Sequence, residues 1–217
     1  NLVDYFSSTF SFARCEWYSN SRQLPDTVDL EPAAARPARR FVFAGHVKAD
    51  KGLREILAAA EKIPDPECRI DVYGDLLDGF SEREFERSAR VSYCGALKSE
   101  QVIPTLRRYD VVLLPTHLRE GYPGTLIEAY IAGLPVIATR CGAIPEIVEH
   151  RVSGLLIEPQ DADELARAMT ELNEDPELFR RLTEGARTFA QKFSSETWTE
   201  KFVEICRQVV AERGPRA

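Results

Sequence analysis

The chain has 217 residues, 44% of them hydrophobic and 29% charged, with a formal net charge of −7. That length suits one large domain, or one domain with extensions, and can bury a sizeable core. The acidic balance argues against a general nucleic-acid surface. The five scattered cysteines (Cys15, Cys68, Cys94, Cys141 and Cys206), with no CxxC, argue against a disulfide framework or zinc site and fit a reducing compartment.

Residues 1–38 are mixed and close on Glu31-Pro32-Ala33-Ala34-Ala35-Arg36-Pro37-Ala38, which reads as an N-terminal stub or linker. The chain opens at Asn1 without Met, so we read it as a fragment, for which missing targeting signals say little. No apolar run approaches the ~20 residues of a membrane helix. From Arg40 a regular alternation begins. Strands are expected over 41–47, 69–74, 91–95, 111–116, 135–140 and 154–159. Helices are expected between them over 52–61, 81–89, 99–108, 124–132 and 144–149. Ser81, Ser99 and Asp161 each stand before acidic residues as helix-start signals. Strand starts lie roughly 20–30 residues apart, the spacing of βαβ units on a parallel sheet. After Pro159 the chain turns helical, over 161–172, 176–192 and 195–213. The expected architecture is a Rossmann-like open parallel α/β sheet of about six strands with helices on both faces. It occupies 39–194 and is followed by a C-terminal helix over 195–217.

The most informative stretch is Glu120-Gly121-Tyr122-Pro123-Gly124-Thr125-Leu126-Ile127-Glu128. It begins in a loop behind the apolar Val111-Val112-Leu113-Leu114 and ends inside a helix. A loop acid can accept hydrogen bonds from hydroxyls, and the unpaired N–H groups of a helix start can hold an anion. Together they suit a phosphorylated sugar, with Glu128 about one turn deeper for a second set of hydroxyls. Ligands of an open parallel sheet sit beyond the carboxyl ends of its strands. Those ends here are Gly45-His46-Val47-Lys48, Gly74-Asp75, Cys94-Gly95-Ala96-Leu97, 116–120 and Arg140-Cys141-Gly142. Lys51-Gly52 follows the first of them. No GxGxxG is present, which counts against a dinucleotide dehydrogenase.

These residues, in this order, resemble the C-terminal, nucleotide-sugar-binding half of a GT-B glycosyltransferase of family 4. The resemblance rests on Phe43-Ala44-Gly45 with Lys51-Gly52, on Tyr93-Cys94-Gly95, on 110–115, and most strongly on 120–129 running into Gly133-Leu134-Pro135-Val136. It ends on Gly142, Pro145-Glu146, Gly154 and Asp161 and covers about residues 40–165. The resemblance implies a retaining transfer of sugar from a nucleoside diphosphate to an acceptor hydroxyl. Glu120 then meets the donor sugar beside the reacting carbon, and Glu128 binds ribose. The backbone of Gly121, Tyr122, Pro123, Gly124, Thr125 and Leu126 cradles sugar and diphosphate, and Lys51 neutralises the diphosphate. Many members carry Arg where this chain has His46, so either Lys48 assists or His46 makes a pH-sensitive contact. Gly45, Gly95 and Leu97 complete the expected donor site.

The resemblance implies no metal or other cofactor, a nucleotide-sugar partner and no nucleic acid. It also implies an acceptor-binding N-terminal domain in the same chain or a partner, and a cytoplasmic enzyme with room for peripheral membrane contact. Val28-Asp29 resembles the interdomain hinge, and the last helix, with Trp198 and Phe202, resembles the segment that crosses back to the other domain. A stand-alone nucleotide-sugar module working with a partner chain is the competing reading, and an epimerase on the same fold is a third. Asp161-Ala162-Asp163 spells D-x-D, but its place before Leu165 fits helix capping better than a metal site. His117 and His150 read as surface residues, and Cys94 and Cys141 as small core residues rather than nucleophiles. Tyr93 either lines the base pocket or packs the sheet.

Overall fold

The strand segments at 41–44, 111–114, 136–139 and 154–157 are near-continuous runs of apolar, β-branched and aromatic residues, the mark of strands covered on both faces, while those at 69–73 and 91–93 alternate. The computed structural model describes residues 33–193 and 195–213. In it the six expected strands form: β1 (Arg40–Ala44), β2 (Arg69–Tyr73), β3 (Val91–Tyr93), β4 (Val111–Leu114), β5 (Val136–Thr139) and β6 (Gly154–Ile157). All pairings are parallel and the order is β3-β2-β1-β4-β5-β6. The helices are α1 (Leu53–Ala60), α2 (Ser99–Leu106), α3 (Gly124–Ile131), α4 (Ile144–Ile147), α5 (Ala162–Glu174), α6 (Pro176–Ala190) and α7 (Ser195–Arg213). The hinge reading of Val28-Asp29 and the side chain of Trp198 lie outside the described residues.

Alternate strand residues point to opposite faces, so the sheet has two cores. Phe41, Phe43, Ile70, Val72, Val111 and Leu113 pack against α1, α5 and the start of α6. Val42, Ala44, Val112, Leu114, Val136 and Ala138 pack against α2, α3, α4 and the end of α6. The apolar stripe of α3 is buried as a unit: Leu126, Ile127, Tyr130 and Ile131 are all at most 1% exposed. Tyr130 also shares a buried hydrogen bond with the Ser153 hydroxyl at 2.9 Å.

One expected element is corrected. Residues 81–89 form a single 3-10 turn, Glu82–Glu84, not a helix. The start signal works, because the Glu84 carboxylate accepts from the Ser81 N–H and hydroxyl, both at 2.8 Å. The stretch lacks an apolar stripe, however. Phe85 alone is buried, stacked on Tyr93 with ring centroids 5.3 Å apart. Without a face to bury, a short helix does not propagate. That stacking gives Tyr93 its sheet-packing role. A smaller correction concerns Ser99, which is the first helical residue of α2, behind Lys98 at the cap position.

The D-x-D acts as a cap: Asp161 Oδ1 accepts from the Glu164 N–H at 2.7 Å. We expect Asp161→Ala to cost about 1 kcal/mol. Chemical denaturation of the variant tests this, and an unchanged midpoint would remove the capping role.

Buried Asp110, the residue before β4, fastens the segment that leads into β1. It is 1% exposed and accepts from the Arg39 and Arg40 N–H groups, each at 2.9 Å. It also pairs with Arg36 at 2.7 Å and Arg40 at 3.1 Å. Burial pushes its carboxyl up, but these donors together outweigh burial and hold it below the usual carboxylate range.

Candidate functional site

Strand order reverses direction on either side of the β1–β4 pair, which opens a crevice beyond their carboxyl ends. After β1 the chain passes Gly45 and His46 and makes a 3-10 turn, Ala49–Lys51. It then turns through Gly52, whose φ of 82° is left-handed. A Cβ on Gly52 would lie 2.1 Å from the Pro115 carbonyl, so only glycine lets this turn lean on the end of β4. That contact brings Lys51 beside the loop that leaves β4. The Lys51 ammonium lies 2.7 Å from Glu120 Oε1, and each side chain is 17% exposed.

The Glu120 loop is held by its neighbours rather than by its own sequence. Thr116 Oγ1 donates to the Asp50 carbonyl at 3.0 Å and accepts from the Leu118 N–H at 3.2 Å. The His117 N–H donates to the same Asp50 carbonyl at 3.0 Å. On the other side, the Thr139 hydroxyl donates to the Thr116 carbonyl. The Ala143 N–H donates to the Glu120 carbonyl at 3.0 Å. Gly142, with φ of 57°, lets the two loops touch, because its Cβ would sit 2.4 Å from the Glu120 carbonyl oxygen.

Beyond the loop, α3 begins behind Pro123, which offers no side-chain cap. The Leu126 N–H turns back to the Pro123 carbonyl at 3.2 Å, leaving Gly124 and Thr125 as the helix-start donors. Thr125 Oγ1 donates to the Ala44 carbonyl at 3.2 Å, which pins the helix start to the end of β1.

The resulting crevice measures about 340 Å³. Gly45, His46, Lys51, Leu97, Glu120, Thr125 and Glu128 of the expected site line it together. Gly95, Gly121, Tyr122, Pro123, Gly124 and Leu126 do not line it. Leu126 is fully buried in the core, and Tyr122 packs edge-on to Phe193 with centroids 6.1 Å apart. Gly95 instead accepts from the Gly74 N–H at 3.0 Å. The geometry also separates His46 from Lys48. His46 lines the crevice, while Lys48 is engaged by Asp50 at 2.8 Å, a hydrogen bond that holds its ammonium above the usual range.

Sequence reasoning missed Tyr73 and Val102, which also line the crevice. Tyr109 donates to Asp71 Oδ2 at 2.7 Å, so the 2.9 Å contact between the two hydroxyls has Tyr73 donating to Tyr109. Burial, and then these hydrogen bonds, push the Tyr109 hydroxyl far up, so it stays neutral. The available signal was Asp71 and Tyr73 at alternate positions of β2, sharing one face with Arg69 while Ile70 and Val72 face the core.

Residues 38–175 match the family described as glycosyl transferases group 1. A D-inositol 3-phosphate glycosyltransferase of Saccharomonospora viridis is 35% identical over 182 residues, which is 84% of this chain and 42% of that one. Among solved structures, HepE of Anabaena in complex with UDP superposes with a TM-score of 0.72 at 23% identity, covering 79% of this chain and 49% of that one. The C-terminal domain of a group 1 glycosyl transferase, LpcC, from Francisella tularensis superposes with a TM-score of 0.65 at 23% identity, covering 74% of this chain and 89% of that one. This chain therefore spans less than half the length of that curated relative, and its fold corresponds to the C-terminal domain of such enzymes. With the profile match extending across most of the chain, the protein belongs to the glycosyl transferases of group 1.

Proposed function

We propose that this chain supplies the donor-binding half of a retaining, family 4 glycosyltransferase that moves a sugar from a nucleoside diphosphate to an acceptor hydroxyl. The observation that carries the reading is the convergence of Lys51, Glu120, Glu128 and the α3 start on one crevice at the sheet's switch point. The diphosphate sits against Lys51 and the Thr125 N–H at the α3 start, which stabilise charge as the leaving group departs. These fixed donors supply positive potential without a metal. Glu120 meets sugar hydroxyls and Glu128 meets ribose. The wall with Leu97, Tyr73 and Val102 receives the base.

The acceptor is bound by an N-terminal half, so residues 1–217 alone transfer little sugar. Among the described residues no helix is long and apolar enough to cross a membrane. We place the enzyme in the cytoplasm, in keeping with the free thiols of the four cysteines among the described residues, of which Cys68 is buried with its thiol pushed up to about 11 by burial.

A calorimetric screen of UDP-, GDP- and ADP-sugars tests the reading, and binding of none would reject it. Lys51→Ala separates the phosphate contact from the rest. We expect it to weaken nucleoside diphosphate binding by about 1.5–3 kcal/mol and to leave nucleoside binding unchanged. Equal losses for both ligands would show that Lys51 does not touch phosphate. Glu128→Gln should weaken nucleoside and diphosphate alike, by roughly 1–3 kcal/mol for a lost charged hydrogen bond. Undiminished nucleoside affinity would take Glu128 off the ribose.

A further inference from the structure

Lys51 is asked to do two things. The donor reading gives it a diphosphate, yet its ammonium already holds Glu120 Oε1 at 2.7 Å. Both side chains line the crevice and each is only 17% exposed, so the pair is partly withdrawn from water and neither charge is idly solvated. A phosphate oxygen and the Glu120 carboxylate are both anions, and they would approach the same ammonium. We propose that Glu120 and the donor diphosphate are alternative partners of Lys51, so that binding the diphosphate transfers Glu120 from Lys51 to the sugar hydroxyls. The inference rests on the donor-site reading and deepens it.

The surrounding structure restricts how that exchange can occur. The Glu120 carbonyl is fixed by the Ala143 N–H at 3.0 Å, and Gly142 packs against the same peptide. The loop is anchored again at Thr116 and His117. The exchange is therefore a rotation of the Glu120 side chain on a fixed backbone, with no loop movement needed.

A discrimination follows that neither residue gives alone. A nucleotide sugar takes Lys51 from Glu120 and returns hydroxyls to it. A nucleoside diphosphate takes Lys51 and returns nothing. The pair thus favours the sugar-bearing donor over the spent nucleotide, and after transfer Glu120 competes to recover Lys51 and hasten release of the product.

The test uses inorganic pyrophosphate, which needs no knowledge of the base, titrated calorimetrically into the 217-residue chain. The set is wild type, Glu120→Gln, Lys51→Ala and the double variant, with thermal melts to show that each is folded and Glu120→Ala as a second probe of the same position. Removing the carboxylate should tighten pyrophosphate about five- to tenfold while Lys51 is present. In the Lys51→Ala background the same change should gain no more than about twofold, because only charge repulsion then remains to be relieved. Equal gains in both backgrounds would reduce Glu120 to a repelling charge and overturn the exchange, as would an unchanged or weaker affinity in Glu120→Gln and Glu120→Ala. If wild type binds neither pyrophosphate nor any of UDP, GDP and ADP, the donor-site reading itself falls. If it binds one of them and the gain is missing, only the exchange falls.

Discussion

Glu120→Gln should lower turnover by about 10²-fold or more in the enzyme carrying its acceptor-binding half, as expected when positioning at a reacting centre is lost. The substitution preserves size, so the loop anchors at Thr116 and Ala143 are untouched, and what changes is the charge that the proposed function sets against the sugar. An amide accepts a hydroxyl proton more weakly than a carboxylate does, and it does little for a carbon that becomes cationic as the diphosphate leaves. The loss should fall on kcat, with affinity for the nucleotide undiminished. Steady-state kinetics with donor and acceptor varied separately would read this. Turnover within threefold of wild type, with normal donor binding, would remove Glu120 from the chemistry.

The second large effect concerns stability. Asp110→Ala should destabilise the fold by about 3–5 kcal/mol, the range for breaking a buried, hydrogen-bonded charge cluster. The change orphans the Arg39 and Arg40 N–H groups and leaves Arg36 without its carboxylate. It should also alter the response to acid. The folded carboxyl lies below its usual value, so its contribution is fully present above the unfolded pKa of about 3.9 and is lost as pH falls through the folded value. Wild type should therefore lose stability below about pH 4 more steeply than the alanine variant does. Urea denaturation of both proteins across pH 3–7 measures each quantity, and parallel curves separated by less than 1 kcal/mol would reduce Asp110 to an ordinary surface-type acid.

The sheet was legible because its strands carry a strong local signal. Six short apolar runs at βαβ spacing leave few alternatives, and each became a strand whose C-terminal end falls one to three residues short of the expected one. The failure at 81–89 has a plain cause: capping chemistry was read without asking what the helix would bury. The lining of the crevice was legible where it is built from strand ends and the loops that follow them, as at Gly45, Lys51, Leu97 and Glu120. It was not legible where two loops meet. Nothing in the order of residues says that Lys51, 69 positions before Glu120, would lie 2.7 Å from it. Nor does order reveal that Lys48 would be claimed by Asp50, or that Tyr73 would line the crevice while hydrogen-bonded to Tyr109. Those are facts of tertiary approach, set by close contacts such as Gly52 on Pro115.

The contact between Gly142 and the Glu120 peptide has an evolutionary consequence. Selection on Glu120 acts also on what packs against it, and here that includes a residue with no side chain, on a different loop, which does not line the crevice. Any larger residue at 142 would meet backbone that cannot move aside and would adopt a strained left-handed conformation. A saturation scan for activity should therefore find position 142 nearly as intolerant as position 120 itself, while exposed Arg140, two residues away, accepts most replacements.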